Sequence, residues 1–275
     1  MKRFSQWSPL TYQLAVEKNI AQRKAKDAFS REIFAREKQE TPLPHLIYAH
    51  NSLIRRTLGQ VDPRLQDNKA VSLGLAAPCV NGILIRPWET FSFWRLVGRC
   101  TAKRGFLPGM VLHNGVPKEG VGGGMCQFTN LLHWMVLHSD LTITEHHHHD
   151  DYDLFPDFGR QVPFGVGTSI LYNYLDYRFR NDTDHTFQLL VWSDGQYLRG
   201  ELRSTASPVH VWHISCEEEH FTCENGIWYR NNQVFRRKTD KLTGNTLEKA
   251  LLRQAHARVL YDPQYIDPQK IRKEV

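Results

Sequence analysis

The chain has 275 residues, 41% apolar and 11% aromatic, which is enough for one large globular domain with small flanking pieces and excludes disorder as a description of the whole chain. A net charge of +6 would suit an acidic partner, yet no zinc-finger spacing, RNA-binding aromatic pattern or basic helix-turn-helix accompanies it, so nucleic acid is not expected as a partner. Five cysteines, an odd number in a chain of this size, do not make the framework of a disulfide-stapled secreted domain, and at least one thiol is expected to be free.

At the N-terminus, polar and charged residues interrupt every apolar stretch of MKRFSQWSPLTYQLAVEKNIAQ before a signal-peptide core can form, and no run of about 18 apolar residues could span a bilayer. The expectation is therefore a cytoplasmic protein without a transmembrane segment. From Leu10 to about Glu40 the chain is rich in Ala, Lys, Glu, Arg and Gln and lacks Gly and Pro, which predicts a long solvated helix ending at Pro42 and Pro44. HLIYAHNSLIRRTLG reads as a second helix closed by Gly59, and a third covers roughly Lys69 to Pro78 before the Asn81-Gly82 turn.

Beyond that turn the runs ILIRP, TFSFW and MVLHNG are short and bounded by Gly, Pro and Asn, as strands are. LDYRFRN, TFQLLVW and QYLRGEL continue the pattern, with turns at Asn181-Asp182 and Asp194-Gly195, and together they suggest an antiparallel sheet. Near the C-terminus GIWYRNNQVFRR reads as a strand pair turning at Asn231-Asn232, followed by an amphipathic helix, TLEKALLRQAHARVL. These elements divide the chain into a helical extension (1–68), a main domain (69–205) and a C-terminal strand pair and helix (206–275).

The most informative stretch is KEGVGGGMCQFTNLLHWMVLHSD, where three glycines run straight into a helical pattern with Phe128, Leu131, Leu132 and Met135 on one face. Cys126 falls in the first turn, where unpaired amides and the helix dipole favour a thiolate. Gly122, Gly123 and Gly124 could admit a substrate backbone and aim amides at a developing oxyanion, and Gln127 and Asn130 follow as polar groups for substrate. The plainer alternative is a buried cysteine after a tight turn. A P-loop is excluded, because its lysine and hydroxyl are missing after GVGGGMC.

A thiol nucleophile needs a base, and EHHHHDDYD, from Glu145 to Asp153, offers His146, His147, His148 and His149. In an extended run His147 and His149 share one side and His146 and His148 the other. The same geometry, with Asp150 or Asp151, could instead bind zinc or nickel, but no second cluster supports a metal site, and no cofactor is expected. His133, two turns along the helix, reads as a polar-face residue, and Cys79, Cys100, Cys216 and Cys223 as structural.

RPWETFSFWRLVG, VLHNGVPKEGVGGGMCQFTNLLHWMVLHSDLTITE and GVGTSILYNYLDYRFRNDTDHTFQLLVW together resemble the VanW family, whose members are associated with glycopeptide-antibiotic resistance. The resemblance covers roughly Leu73 to Trp192 and rests on four ordered blocks: Glu89 to Phe93, Gly122 to Gln127, His149, and Asp176 to Asn181. His146 stands where the family has arginine, and Gly167, Thr168 and Ser169 stand where it has an Asp-Ala-Thr triplet. The resemblance implies an α+β fold with a cysteine-bearing helix packed on an antiparallel sheet. It also implies cysteine-dependent transpeptidation of peptidoglycan stem peptides, with Cys126 as nucleophile and His149 as base, His147 being the neighbouring imidazole. With the triplet's acid absent, Asp176 or Asp157 would orient the histidine. Two other functions compete with this one: a non-catalytic module that binds a cell-wall precursor or a resistance-cluster protein, and a metal protein built on the histidine run.

Overall fold

The computed structural model describes residues 7–56, 62–113, 116–148, 152–157, 161–172 and 175–272. Helix α1 (Pro9–Phe29) opens on a reciprocal cap in which the Ser8 hydroxyl accepts from the Thr11 amide at 3.2 Å. It stops at Ser30 rather than continuing to Glu40, because the chain turns extended there and β1 (Ile33–Phe34) joins a sheet.

The second expected helix is instead strand β2 (His45–Leu53). Its helix-compatible composition is overridden by pairing along its whole length, a tertiary gain larger than the small propensity differences involved. Helix α2 (Pro63–Val80) starts earlier than expected, with Asp62 as its cap and Pro63 in its first turn. It is followed by β3 (Ile83–Ile85), β4 (Glu89–Ser92) and the single-turn helix α3 (Phe93–Val97). The hairpin β5 (Pro108–His113) and β6 (Val116–Val121) leads into α4 (Met125–Leu137), then β7 (Thr142–Glu145) and β8 (Tyr152–Asp153).

β9 (Arg178–Arg180), β10 (Phe187–Ser193) and β11 (Tyr197–Ser204) complete the central unit. One sheet has the order β2-β11-β10-β3, all antiparallel, and a second has β1-β4-β9-β7. The fold is α+β, as expected. α4 lies on the first sheet at β11, where Gly200 meets Met135 and Leu131 so closely that a Cβ there would make the Met135 side chain shift. Phe91, Phe93, Phe128, Tyr177, Phe179 and Phe187 fill the core between the layers.

The C-terminal part is a sheet of three long strands, β12 (His210–Glu224), β13 (Ile227–Asp240) and β14 (Thr246–Val259), with β8 along its edge. Two expectations fail here. Asn231-Asn232 is no turn: both residues sit inside β13, and the hairpin reverses at Asn225-Gly226, where both φ angles are positive. The expected C-terminal helix is β14, registered against β13 over most of its length, with Ala255, Ala257 and Val259 buried at every second position.

Candidate functional site

Gly124 is the left-handed cap of α4, which makes Cys126 the second helical residue, as the glycine run suggested. The chain itself fills the space that the glycines leave. A Cβ on Gly122 would overlap Cys100, one on Gly123 would overlap the Gly109 backbone of β5, and one on Gly124 would overlap the Lys69 side chain. The amides of Gly122 and Gly123 are also taken, by the Leu107 and Gly120 carbonyls at 3.1 and 3.2 Å. Amides without a helical acceptor therefore begin at the head of α4 itself.

Cys126 is half-buried and packs against the main core. The Ile170 amide donates to its sulfur, which favours the thiolate, but burial outweighs this and pushes the thiol above its ordinary value. The shift runs opposite to the lowering expected at a helix start, because desolvation is the largest influence on the sulfur.

The segment 167–170 is strapped across the helix beside the cysteine. Asn130 Oδ1 accepts from the Thr168 amide at 2.6 Å and from its hydroxyl at 2.8 Å. The same hydroxyl donates to the Cys126 carbonyl at 3.3 Å and meets the hydroxyl of Thr129. Gln127 points the other way, its amide donating to Ser52 Oγ and the Leu53 carbonyl, both at 2.8 Å, so it fastens α4 to β2.

His146, His147 and His148 leave β7 with the alternation expected of an extended run. The rings of His146 and His148 lie 3.9 Å apart on one side, while His147 faces Glu145 at 3.0 Å on the other. His146 Nε2 lies 3.2 Å from the Gly167 carbonyl, next to Thr168, and its ring lies 4.0 Å from that of His133, tilted by 31°. His133 is buried and bonded to the Tyr177 hydroxyl at 3.1 Å, so it belongs to this cluster and not to a solvated helix face. Burial and the neighbouring imidazoles lower His146 to about 3 and hold His133 well below the usual histidine range, so both rings are neutral at pH 7. His149, Asp150 and Asp151 lie outside the described residues. Among the described residues no group of three His, Cys, Asp or Glu side chains could hold a metal ion.

Asp176 is a structural hub. Its carboxylate accepts from the Trp94 and Tyr177 amides at 3.0 and 2.8 Å, from Ser92 Oγ at 2.5 Å and from Arg178 Nε at 2.8 Å. No imidazole among the described residues is bonded to it. Its backbone amide donates to Glu145 at 2.9 Å, and Glu145 in turn holds His147 and Arg23 of α1. Arg178 extends the network to Asp27 of α1 at 2.7 Å. Asp157 is committed elsewhere, to Arg230. Glu145, Thr168 and Tyr177 are site residues that sequence reasoning missed. Tyr177 and Glu145 lay in or next to blocks already noted, and Thr168 lay in the triplet already set beside the family pattern without a role.

The model of the family described as VanW like protein matches residues 68–203, the stretch that builds the sheet of β3, β10 and β11, helix α4 and the histidine run. The chain is 33% identical over 232 residues to the vancomycin B-type resistance protein VanW of Enterococcus faecalis, covering 84% of both chains. It is also 29% identical over 117 residues to the uncharacterized protein YoaR of Bacillus subtilis, covering 42% of this chain and 36% of that one. No solved structure matches. With the cysteine helix, the histidine run and the LDYRFRN strand all inside the matched stretch, the chain belongs to the VanW family.

Proposed function

We propose that the chain is a cysteine-dependent acyl-transfer enzyme acting on peptidoglycan stem peptides or their precursors, in a role linked to glycopeptide resistance. The observation that carries this reading is the placement of Cys126. The sulfur sits in the first turn of a buried helix under the Ile170 amide, and the strap 167–170 that supplies this amide also receives His146. A fixed sulfur, helix-head amides and a histidine run tied to the same strap are parts that acyl transfer uses.

In the reaction, the imidazole takes the Cys126 proton as sulfur bonds to the stem-peptide carbonyl carbon, and the proton passes to the departing amine to leave a thioester. The amine of a second stem attacks that thioester, an amide forms, and the thiol regains its proton. Because burial raises the resting thiol, the base has to take the proton as the sulfur attacks. His149 is the base that the resemblance implies. Of the described imidazoles, His147 is engaged by Glu145, and His146, lowered to about 3 with its Nε2 at the Gly167 carbonyl, is too weak a base for a buried thiol, so the role falls to His149. Incubation with purified stem peptides and separation of the products tests the proposal: a crosslinked dimer that disappears in Cys126→Ala supports it, and an unchanged yield in that variant refutes it.

The raised thiol also fits a second reading, a non-catalytic module that binds a cell-wall precursor or a resistance-cluster protein. Stem-peptide binding that survives Cys126→Ala, with no product from the unaltered protein, would select it.

A further inference from the structure

α1 is held to the body of the protein by few groups. Ile20 is buried, Arg23 pairs with Glu145, Asp27 with Arg178 at 2.7 Å, and Glu17 with Arg99 at 2.6 Å. The rest of this helix, about 30 Å long, faces away from the domain. At about 100° per residue, Leu10 and Leu14 share the side turned away from Ile20, Arg23 and Asp27, with exposed Ala21, Ala25 and Ala28 continuing the stripe. Trp7 and Leu10 are each 66% exposed, Leu14 is 55% exposed, and Phe29 at the far end is 88% exposed. Apolar surface left in water along a whole helix marks an interaction face.

Charge identifies the partner. Lys18 and Lys24 are exposed on the two margins of this stripe and Lys26 is exposed farther round the helix, while both acids of α1, Glu17 at the edge of the stripe and Asp27, pair with arginines of the body. No carboxylate among the described residues pairs with these three lysines. An apolar line edged by lysines, with an aromatic residue at each end, is the pattern of a helix lying in a membrane interface, the lysine stems reaching up to anionic headgroups. A second copy of the chain is disfavoured, since two such faces would oppose like charges. No helix among the described residues is long and apolar enough to cross a membrane.

We propose that the outer face of α1 docks the protein on a bilayer containing anionic lipid. Arg23 and Asp27, on the opposite side of the same helix, join it to Glu145 and Arg178, so a docked α1 holds the histidine loop at a set position above the surface. The proposal goes beyond acyl transfer and stands without it.

Co-sedimentation of the full chain with vesicles of phosphatidylcholine alone, and of phosphatidylcholine with phosphatidylglycerol, tests it. Binding is expected only with phosphatidylglycerol and should weaken at high salt. Lys18→Gln, Lys24→Gln and Lys26→Gln together should lower partitioning on the order of a hundredfold, about fivefold per lysine. Leu10→Glu with Leu14→Glu should abolish it, with circular dichroism confirming the fold. Absence of binding to either vesicle, or binding unaffected by the α1 variants, would overturn the proposal. A protein found dimeric in solution, not bound to vesicles, and made monomeric by Leu14→Glu would replace it with a self-association face.

Discussion

Two buried arginines, Arg178 and Arg230, solve the same problem in different parts of the molecule. Arg178 joins α1 to the central unit by gathering Asp27, Asp176 and Glu145, at 2.7, 2.8 and 3.6 Å. Arg230 joins the C-terminal sheet to the segment after the histidine run, gathering Asp153 at 3.2 Å together with Asp157 and Glu219. Each is almost wholly buried, and each is held fully charged by the carboxylates around it. The difference lies in what the carboxylates touch next. Those of Arg178 reach His147 and the start of α3, whereas those of Arg230 reach Tyr261 and Lys270. The comparison teaches that similar ionic clamps can be coupled to the candidate site or insulated from it, depending on one further bond.

The largest expected effect is on stability. Arg178→Ala and Arg230→Ala each strand buried carboxylates and should cost about 3–5 kcal/mol, measured by urea unfolding. The milder Arg178→Lys and Arg230→Lys sharpen the comparison. The first should slow acyl transfer by shifting Glu145 and His147, and the second should leave it unchanged. Equal effects on transfer would remove the distinction.

Next in size is the glycine turn. Gly123→Ala would drive a methyl group into the Gly109 backbone, so a loss of about 1–3 kcal/mol is expected, whereas Gly74→Ala, on open helix surface, should be neutral or slightly stabilising.

The pH dependence follows from His146. Its folded value, about 3, lies below that of an unfolded histidine, so the unfolded chain binds the extra proton. This contribution is fully present above pH 6.5 and is lost as pH falls below it, by about 2 kcal/mol at pH 5. Thermal unfolding of His146→Asn should show a shallower acid limb than that of the unaltered protein. The smallest effect is on reactivity: at pH 8, Cys126 should be alkylated more slowly than the exposed Cys223, read by peptide mass spectrometry.

Much of the candidate site was legible in the sequence because its signals are local. Three glycines before a helical pattern place Cys126 in the first turn, and alternation places His146 beside His148 and His147 on the opposite side. The sign of the cysteine's shift was not legible, since it depends on burial supplied by the strap 167–170 and the core around it. In the fold, the errors cluster where helix-forming residues are used in strands. TLEKALLRQAHARVL has the composition of a helix, yet long antiparallel pairing decides its state, and only the buried Ala255, Ala257 and Val259 betray the period of two. HLIYAHNSL is misread for the same reason, its partner β11 lying about 150 residues away.

The central claim is that Cys126 forms a thioester with a stem peptide. The most direct measurement is rapid-quench intact mass of the protein mixed with a stem-peptide donor and no acceptor, followed by peptide mapping. A mass increase equal to the acyl fragment is expected, mapped to Cys126, released by an added amine and absent in Cys126→Ala. An unmodified Cys126 in a preparation that binds the peptide, or an adduct that persists in Cys126→Ala, would contradict it.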